Sequence, residues 1–206
     1  GYGHRGGGGY YGHGGAYAVW VDGLVAYAQR LDAGGTARWG LNGMQISEPT
    51  DEWPFGVVCC EADPSSGVFF WGMATGGRPD GHAQKIDTSG AFLWGTTGVV
   101  FDSVGAGGVR RLSPDDAGGT FVGHGLFVQH VDRNAQKLWP AVGVKFTSLP
   151  WNLESSQAPS PSGGLWIFWQ SLQEEKFIYG QYIDPSGIRR WGTTGIRMSN
   201  FQKRQQ

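Results

Sequence analysis

Residues 84–95 read Gln84-Lys-Ile-Asp87-Thr-Ser-Gly90-Ala-Phe-Leu-Trp94-Gly95, and three other segments align with them without a gap. In every copy a glutamine precedes an aspartate by three positions and a tryptophan by ten. The shared residues are Gln29, Asp32 and Trp39; Gln84, Asp87 and Trp94; Gln129, Asp132 and Trp139; and Gln181, Asp184 and Trp191. The copies start 45 to 55 residues apart, which indicates a chain built from four structural repeats.

Each repeat carries further strand signals around this segment. A glycine and an apolar run precede it, as in Gly15–Trp20 and Gly164–Trp169, and a short apolar segment such as Val99–Asp102 follows its tryptophan. A fourth extended candidate lies before the glycine, clearest in Val57–Glu61 and Val109–Leu112. Short β-rich runs punctuated by glycine, proline and aspartate predict strands joined by hairpins. Four strands per unit predict the blade of a β-propeller, with a solenoid as the structural alternative.

The predicted fold class is therefore all-β, a β-propeller with four detectable four-stranded blades. The blades form either a closed four-blade ring or part of a larger ring, and in the second case two open sheet edges need partners. The repeats are expected over residues 15–199, in units of about 1–47, 48–102, 103–147 and 148–199. Residues 1–14 are a glycine-rich segment, interpreted as a degenerate first strand or a tether, and residues 200–206 are a polar tail.

The glycine content supports this architecture. Glycine accounts for 37 of 206 residues, about 18% against a background of roughly 7%, and it is accompanied by ten tryptophans and eleven phenylalanines. Glycine-rich disorder lacks aromatic residues, and a strict three-residue collagen period is absent. In the Asp-x-x-Gly turns the aspartate caps the turn and glycine takes the left-handed position. Ala135 stands at this position in the third repeat, so its turn is expected to be strained or differently shaped.

Charge, hydropathy and cysteine content exclude several classes of protein. Sixteen basic and 17 acidic residues give a net charge of −1, too little for non-specific nucleic-acid binding. No run of about 18 apolar residues is present to span a membrane. Cys59 and Cys60 are adjacent, which excludes a disulfide framework. Two free, largely buried thiols are expected, with a strained vicinal disulfide as the alternative.

The repeated glutamine and tryptophan are interpreted as structural. Strand alternation places each glutamine between an aromatic and an aliphatic residue, facing a core between blades, where its amide must bond backbone or a turn. Each tryptophan is expected to wedge between adjacent blades, with its indole N–H on a carbonyl. The functional alternatives are a ring of four glutamines around a ligand and aromatic platforms that stack sugars.

These residues also carry a family resemblance. The Asp-turn-Gly-x-x-x-Trp pattern resembles the tryptophan-docking motif of quinoprotein-type propellers. The whole unit, including Gln29-Arg-Leu-Asp32, is more similar to propeller repeats of large bacterial secreted and surface proteins, and the likeness covers Gly15–Ser199. The chain departs from quinoproteins because the turn is one residue shorter, glutamine replaces an alanine, and no quinone-binding set matches. The resemblance implies a propeller fold and an extracellular or cell-surface location, with the periplasm as the alternative.

No motif for a catalytic nucleophile, a zinc protease, a phosphate-binding loop or haem attachment occurs, so no catalytic residue, cofactor or metal site is predicted. In a propeller the innermost strands line a channel whose mouth binds partners. The polar residues of those strands are Glu61, Arg110, Arg111, Glu154 and Gln157. Arg110 and Arg111 are the first choice for an anion or an acidic partner, because guanidinium groups suit carboxylates and phosphates.

These observations predict a non-catalytic extracellular β-propeller. It acts as a protein- or glycan-binding module or as a building block of a surface assembly. The expected partner is another protein or a second copy of the chain, with a glycan as the alternative ligand. The alternative function is a propeller domain or subunit of a secreted oxidoreductase or hydrolase.

Overall fold

The structure is a computed structural model of the 206-residue chain. It describes the backbone of residues 6–11, 15–23, 25–46, 57–62, 66–75, 78–96, 98–101, 109–149, 151–171 and 177–199. Side chains are described for residues 15–23, 25–46, 81–96, 98–101, 111–149, 155–171 and 177–199.

Sixteen strands in the described residues form four antiparallel sheets, each made of four consecutive strands in chain order. Sheet 1 contains β1 (Gly6–Tyr11), β2 (Gly15–Asp22), β3 (Val25–Leu31) and β4 (Met44–Gln45). Sheet 2 contains β5 (Val57–Ala62), β6 (Ser66–Thr75), β7 (Arg78–Asp87) and β8 (Val99–Phe101). Sheet 3 contains β9 (Val109–Pro114), β10 (Thr120–His124), β11 (Phe127–Val131) and β12 (Val144–Lys145). Sheet 4 contains β13 (Trp151–Pro159), β14 (Leu165–Ser171), β15 (Ile178–Ile183) and β16 (Ile196–Arg197).

The four sheets follow one another in space as they do in sequence. The first strand of each sheet contacts the first strand of the next, so that β1, β5, β9 and β13 lie side by side. Separate apolar cores fill the spaces between sheets 1 and 2, between sheets 2 and 3, and between sheets 3 and 4. Consecutive four-stranded meanders with inner first strands make an all-β, propeller-like fold.

Each repeat is held by an aspartate turn between the third strand and the tryptophan. Asp87 Oδ1 accepts hydrogen bonds from the N–H groups of Ser89 (2.8 Å) and Ala91 (2.9 Å). The backbone N–H of Gly90 donates to the Asp87 carbonyl at 3.1 Å, with Gly90 at φ +96°. Asp32 and Asp132 accept equivalent pairs of N–H bonds.

The third turn keeps the same form despite its alanine. Ala135 has a φ of +67°, and its N–H donates to the Asp132 carbonyl at 3.2 Å, as glycine does in the other repeats. A left-handed conformation costs a residue with a Cβ about 1–2 kcal/mol. Of the two expected outcomes, a strained turn or a different shape, the structure therefore has the strained turn.

The repeated glutamine joins the third strand to the tryptophan segment. Gln84 is fully buried; its Oε1 accepts from the Trp94 N–H at 3.2 Å and its Nε2 donates to the Gly95 carbonyl at 2.6 Å. Gln29, Gln129 and Gln181 make the same pair of bonds to the corresponding backbone groups. All polar atoms of this buried amide are thus paired within the repeat.

Burial differs between the middle of the stack and its ends. Every residue of β10, in sheet 3, is buried, so this strand is covered on both faces. In β2 and β14, which belong to the first and last sheets, buried and half-buried residues alternate over Gly15–Trp20 and Leu165–Ser171. One face of each end sheet is therefore covered by its neighbour and the other face is partly open to solvent.

The glycine-rich segment near the N-terminus supplies the first strand. Gly6–Tyr11 pairs with β2 along its whole length, from Gly6 opposite Trp20 to Tyr11 opposite Gly15. Residues 1–5, 12–14 and 200–206 lie outside the described residues. In the part of the chain that is described, no helix has the length and apolar character needed to cross a bilayer.

Candidate functional site

Two of the predicted binding residues, Arg111 and Gln157, meet between the inner strands of sheets 3 and 4. Arg111 Nη1 donates to the Ser155 carbonyl at 3.0 Å, which links β9 to β13. Gln157 Nε2 donates to Ser113 Oγ at 3.1 Å and to the Phe121 carbonyl at 3.2 Å. These hydrogen bonds link sheets 3 and 4 at their inner strands.

Gly123 makes room for this polar cluster. A Cβ at this position would lie 3.0 Å from Gln157 Oε1 and 3.2 Å from Arg111 Nε. Any larger residue would push the amide and the guanidinium apart, because 3.0 Å is below ordinary van der Waals contact. The pair is thus built into the joint between two sheets.

The other three predicted binding residues lie on inner strands, but their side chains are outside the described residues. Glu61 is in β5, Arg110 in β9 and Glu154 in β13. The side chains of Cys59 and Cys60, both in β5, are likewise outside the described set. The proposed role of these residues in partner binding remains a prediction.

An ionisable pair is formed by His130 in β11 and Asp115 in the turn after β9, with side chains 11% and 8% exposed. His130 Nε2 is 2.8 Å from Asp115 Oδ2, and the imidazole stacks on Phe121 with 4.1 Å between ring centroids. Burial raises the pKa of the Asp115 carboxyl, but hydrogen bonds from His130 and from the N–H groups of Ala117 and Gly119 outweigh it, so the pKa is lowered. His124 lies on the opposite face, against Phe101 and Phe127, so the two histidines do not share a site. The described residues bring together no group of three metal-ligating side chains.

The repeated tryptophans join each sheet to the following one. Trp39 Nε1 donates to the Thr88 carbonyl at 3.3 Å, Trp94 Nε1 to Arg133 at 3.1 Å and Trp139 Nε1 to Pro185 at 3.1 Å. Every acceptor is the residue that follows the turn aspartate in the next repeat. The indoles also pack on the turn, since a Cβ at Gly90 or Gly187 would lie 3.4 Å and 3.0 Å from the ring of the preceding tryptophan.

The fourth tryptophan has no following sheet among the described residues. Trp191 is half-buried, whereas Trp39, Trp94 and Trp139 are only 8%, 5% and 4% exposed. Its ring packs on Trp166 of its own sheet at 5.1 Å, and within the described part of the chain its indole N–H reaches no acceptor. Trp191 is therefore the equivalent of the three inter-sheet tryptophans, with no described residue of another sheet packed on its ring.

Around Trp191, the outer side of sheet 4 forms an aromatic surface that we call the tail face. Its residues are Trp166, Phe168, Tyr182, Trp191 and Met198. Trp166 stacks on Tyr182 at 4.4 Å, and Met198 lies over Gly180 beside Phe168. The equivalent of Trp166 in sheet 3, Phe121, is fully buried by sheet 4, so the tail face has the composition of an internal sheet interface.

The outer side of sheet 1, which we call the head face, is the counterpart. It consists of Ala16, Ala18, Trp20, Tyr27 and Leu31, all half-buried. Trp20 stacks on Tyr27 with 5.9 Å between centroids and an interplanar angle of 16°. Trp169 and Tyr179, at the same positions of sheet 4, stack at 5.9 Å and 18°, and Trp169 is buried against Phe146 of sheet 3. The head face thus has the same aromatic pair with which sheet 4 packs on sheet 3, but among the described residues no sheet packs on it.

A groove of about 360 Å³ opens beside the tail face. Its walls are Ser155, Ser156, Phe168, Trp169, Gln170 and Ile178. Ser156 is exposed and Phe168 is half-buried, so hydroxyl and aromatic groups are both accessible there. This mixture of one aromatic wall with a few polar groups is typical of sites for small polar ligands and peptide side chains.

Sequence reasoning did not identify the head and tail faces as sites. The residues concerned stand at fixed distances from the repeat glycines: Tyr17, Phe121 and Trp166 are each two positions after the glycine at, or just before, the start of the second strand. Ile46, Phe101, Phe146 and Met198 are each three positions after the glycine that follows the tryptophan. The first three of those four are buried and Met198 is 54% exposed, a contrast that depends on neighbours in space and not on the pattern.

Comparisons with known proteins bear on the fold. No protein-family model matches the sequence, and neither does any curated protein. A protein of unknown function from Bacteroides caccae superposes with a TM-score of 0.52 at 12% identity over 89% of this chain and 58% of that one. A GH43 endo-arabinanase from Bacillus licheniformis superposes with a TM-score of 0.44 at 11% identity over 92% of this chain and 78% of that one. The chain thus spans just over half of the first structure, and the likeness concerns the fold alone.

Proposed function

We propose that this chain is a non-catalytic, extracellular module of the β-propeller type that works by binding a partner across the open faces of its sheet stack. It serves as a protein-binding module or as a building block of a surface assembly. One observation carries the proposal. The described sheet faces inside the stack are buried, whereas the aromatic head and tail faces are half-buried, with Met198 54% exposed, and no neighbouring sheet lies against them among the described residues.

The physical reason is the cost of exposed apolar area. Each Å² of apolar surface removed from water contributes about 25 cal/mol, so a contiguous aromatic face is a strong driving force for association. Exposed apolar patches of this kind on a folded domain mark interaction sites. The fit of one such face to another is visible three times inside the same molecule, at the three internal interfaces.

The proposal also states how the ring closes and where the protein is located. Four sheets are fewer than most propeller rings contain, so we infer that they form part of a larger ring completed by a partner, and not a closed four-blade ring. Extracellular location and the tryptophan-docking type of joint follow from the resemblance to bacterial surface-protein repeats. The oxidoreductase or hydrolase alternative has less support, because the sequence carries no motif for a catalytic nucleophile, a zinc protease or haem attachment.

The test is association, measured by sedimentation velocity over a wide range of protein concentration and by a glycan array. We expect the chain to associate and Phe168→Glu, on the tail face, to weaken association. Leu138→Glu is the matched control, because Leu138 is 52% exposed beside Trp139 of sheet 3, which is not an end sheet. A chain that stays monomeric at every concentration and binds no glycan contradicts the proposal.

A further inference from the structure

We propose that the partner of the tail face is the head face of a second copy of this chain, joined by Trp191 on the Asp32–Gly35 turn. This inference rests on the proposed function and names the partner in it. Two copies joined head to tail at both ends form one ring of eight sheets.

The Asp32–Gly35 turn is an unoccupied copy of an acceptor that is used three times. The carbonyls of Thr88, Arg133 and Pro185 each accept the indole N–H of the preceding repeat. Ala33 is their equivalent in the first repeat; it is exposed, and its carbonyl accepts no hydrogen bond from the described residues. A Cβ at Gly35 would meet nothing within 4 Å, whereas at Gly90 and Gly187 it would meet the preceding indole.

The tail face provides the matching donor. Trp191 has the position and backbone bond of the other repeat tryptophans, because its backbone N–H donates to Gln181 Oε1 at 2.9 Å as in the other repeats. Met198 stands where Phe146 stands in sheet 3, and Phe146 packs on Trp169 of the next sheet at 5.2 Å. In the joined pair, Met198 of one copy therefore lies against Trp20 of the other. The head and tail faces consequently match in two places, at the outer turn and at the aromatic pair.

Symmetry sets the number of copies. A head-to-tail interface uses two different surfaces, so it closes into a ring when the rotation permits and otherwise extends into a filament. Propeller rings contain about four to eight blades. Two copies give eight sheets and leave no open face, whereas three copies would exceed the usual size.

The experiment uses two single variants, each of which disables one face. Trp191→Ala removes the donor from the tail face. Ala18→Glu places a charge in the head face, at a half-buried position whose equivalents Val122 and Ile167 are buried between sheets. Each variant alone pairs a damaged face with an intact one at both joints. We therefore expect its dimer dissociation constant to rise at least about 30-fold, the effect of losing one central aromatic contact.

Mixing the two variants distinguishes the modes of association. A mixed pair contains one joint between two intact faces, so the mixture recovers a two-chain species that neither variant forms alone. Association that Trp191→Ala abolishes and Ala18→Glu leaves unchanged indicates tail-to-tail pairing and overturns this inference, while the proposed function survives. A wild-type chain that is monomeric yet binds a glycan also overturns it alone. Circular dichroism and Trp191→Phe, which keeps an aromatic ring but loses the indole N–H, separate loss of contact from loss of fold.

Discussion

At the residue scale, the repeats are held by bonds between groups that are close in sequence. The glutamine amide of each repeat bonds backbone groups ten and eleven positions later, and the aspartate carboxylate bonds N–H groups two and four positions later in three of the repeats. Such local bonds form in each repeat independently of its neighbours. They explain why a short sequence pattern is sufficient to place the third strand, the turn and the tryptophan.

Gln129→Ala tests the buried amide. This change leaves the Trp139 N–H and the Pro140 carbonyl without their side-chain partner inside sheet 3. Each buried unsatisfied group costs about 1–3 kcal/mol, so we expect a loss of about 2–4 kcal/mol in the free energy of unfolding by urea denaturation. Gln136→Ala is the control, because Gln136 is exposed and should change the stability by less than about 0.5 kcal/mol. A similar effect from both variants would show that the amide bonds are not the cause.

Ala135→Gly tests the strained turn. Glycine removes the cost of the left-handed φ of +67° but also the methyl group packed against the core between sheets 2 and 3. We expect a net gain of about 0.5–1 kcal/mol in the free energy of unfolding. Gly35→Ala is the reciprocal variant, with φ +79° and open space at its Cβ, and should lose about 1 kcal/mol. Opposite signs in thermal denaturation are the required result.

At the scale of the sheet, stability comes from what each sheet presents to the next. Tyr17 and Phe121 are buried because a following sheet covers them, and Trp166 at the same position is half-buried. The repeat therefore specifies a sheet with two apolar faces, a design that is satisfied only in a stack. Whether a given aromatic is a core residue or a binding residue depends on its place in the stack.

Trp139→Ala and Trp191→Ala should separate these two cases. Trp139 is 4% exposed and bonded to the Pro185 carbonyl, so its loss should cost about 3–5 kcal/mol, as for other buried tryptophans. Trp191 is half-buried and, among the described residues, its ring packs on Trp166 of its own sheet, so its replacement should cost less than about 2 kcal/mol when measured on the monomer at low concentration. Equal costs would mean that Trp191 is already covered within one chain.

At the scale of the whole molecule, the sequence predicts the sheets better than the surfaces. Strand positions follow from local turns and alternation, so the four repeats and the glycine-rich first strand correspond to four sheets. The meeting of Arg111 with Gln157 does not follow from either segment, because it depends on which face of β9 opposes β13. The open ends are equally non-local, since a half-buried and a fully buried copy of the same position have the same sequence pattern.

Four aspartates with lowered pKa values contribute to how the molecule responds to acid. Backbone N–H bonds lower the pKa of Asp32 and Asp184, and the Ser89 hydroxyl lowers that of Asp87. The pKa of the Asp115 carboxyl is also lowered, because the hydrogen bonds to the carboxylate, including the one from His130, outweigh the effect of its burial, which raises the pKa. A carboxyl whose pKa is lower in the folded state stabilises the fold fully above its ordinary value of 3.8, and this stabilisation is lost as the pH falls through the folded value.

We therefore expect the free energy of unfolding to fall from just above pH 4 downwards, because the unfolded chain takes up protons first. Urea denaturation at a series of pH values measures this fall in stability, which we call the acid limb. Asp115→Asn should lower stability at pH 7 by about 1–2 kcal/mol, through loss of the charged bond to His130, and should flatten the acid limb. Asp116→Asn is the control, because Asp116 is exposed and asparagine tolerates its left-handed φ of 58°. An acid limb that is unchanged in Asp115→Asn would mean that the buried pair does not contribute to the acid response, which would then come from the aspartate turns repeated around the stack.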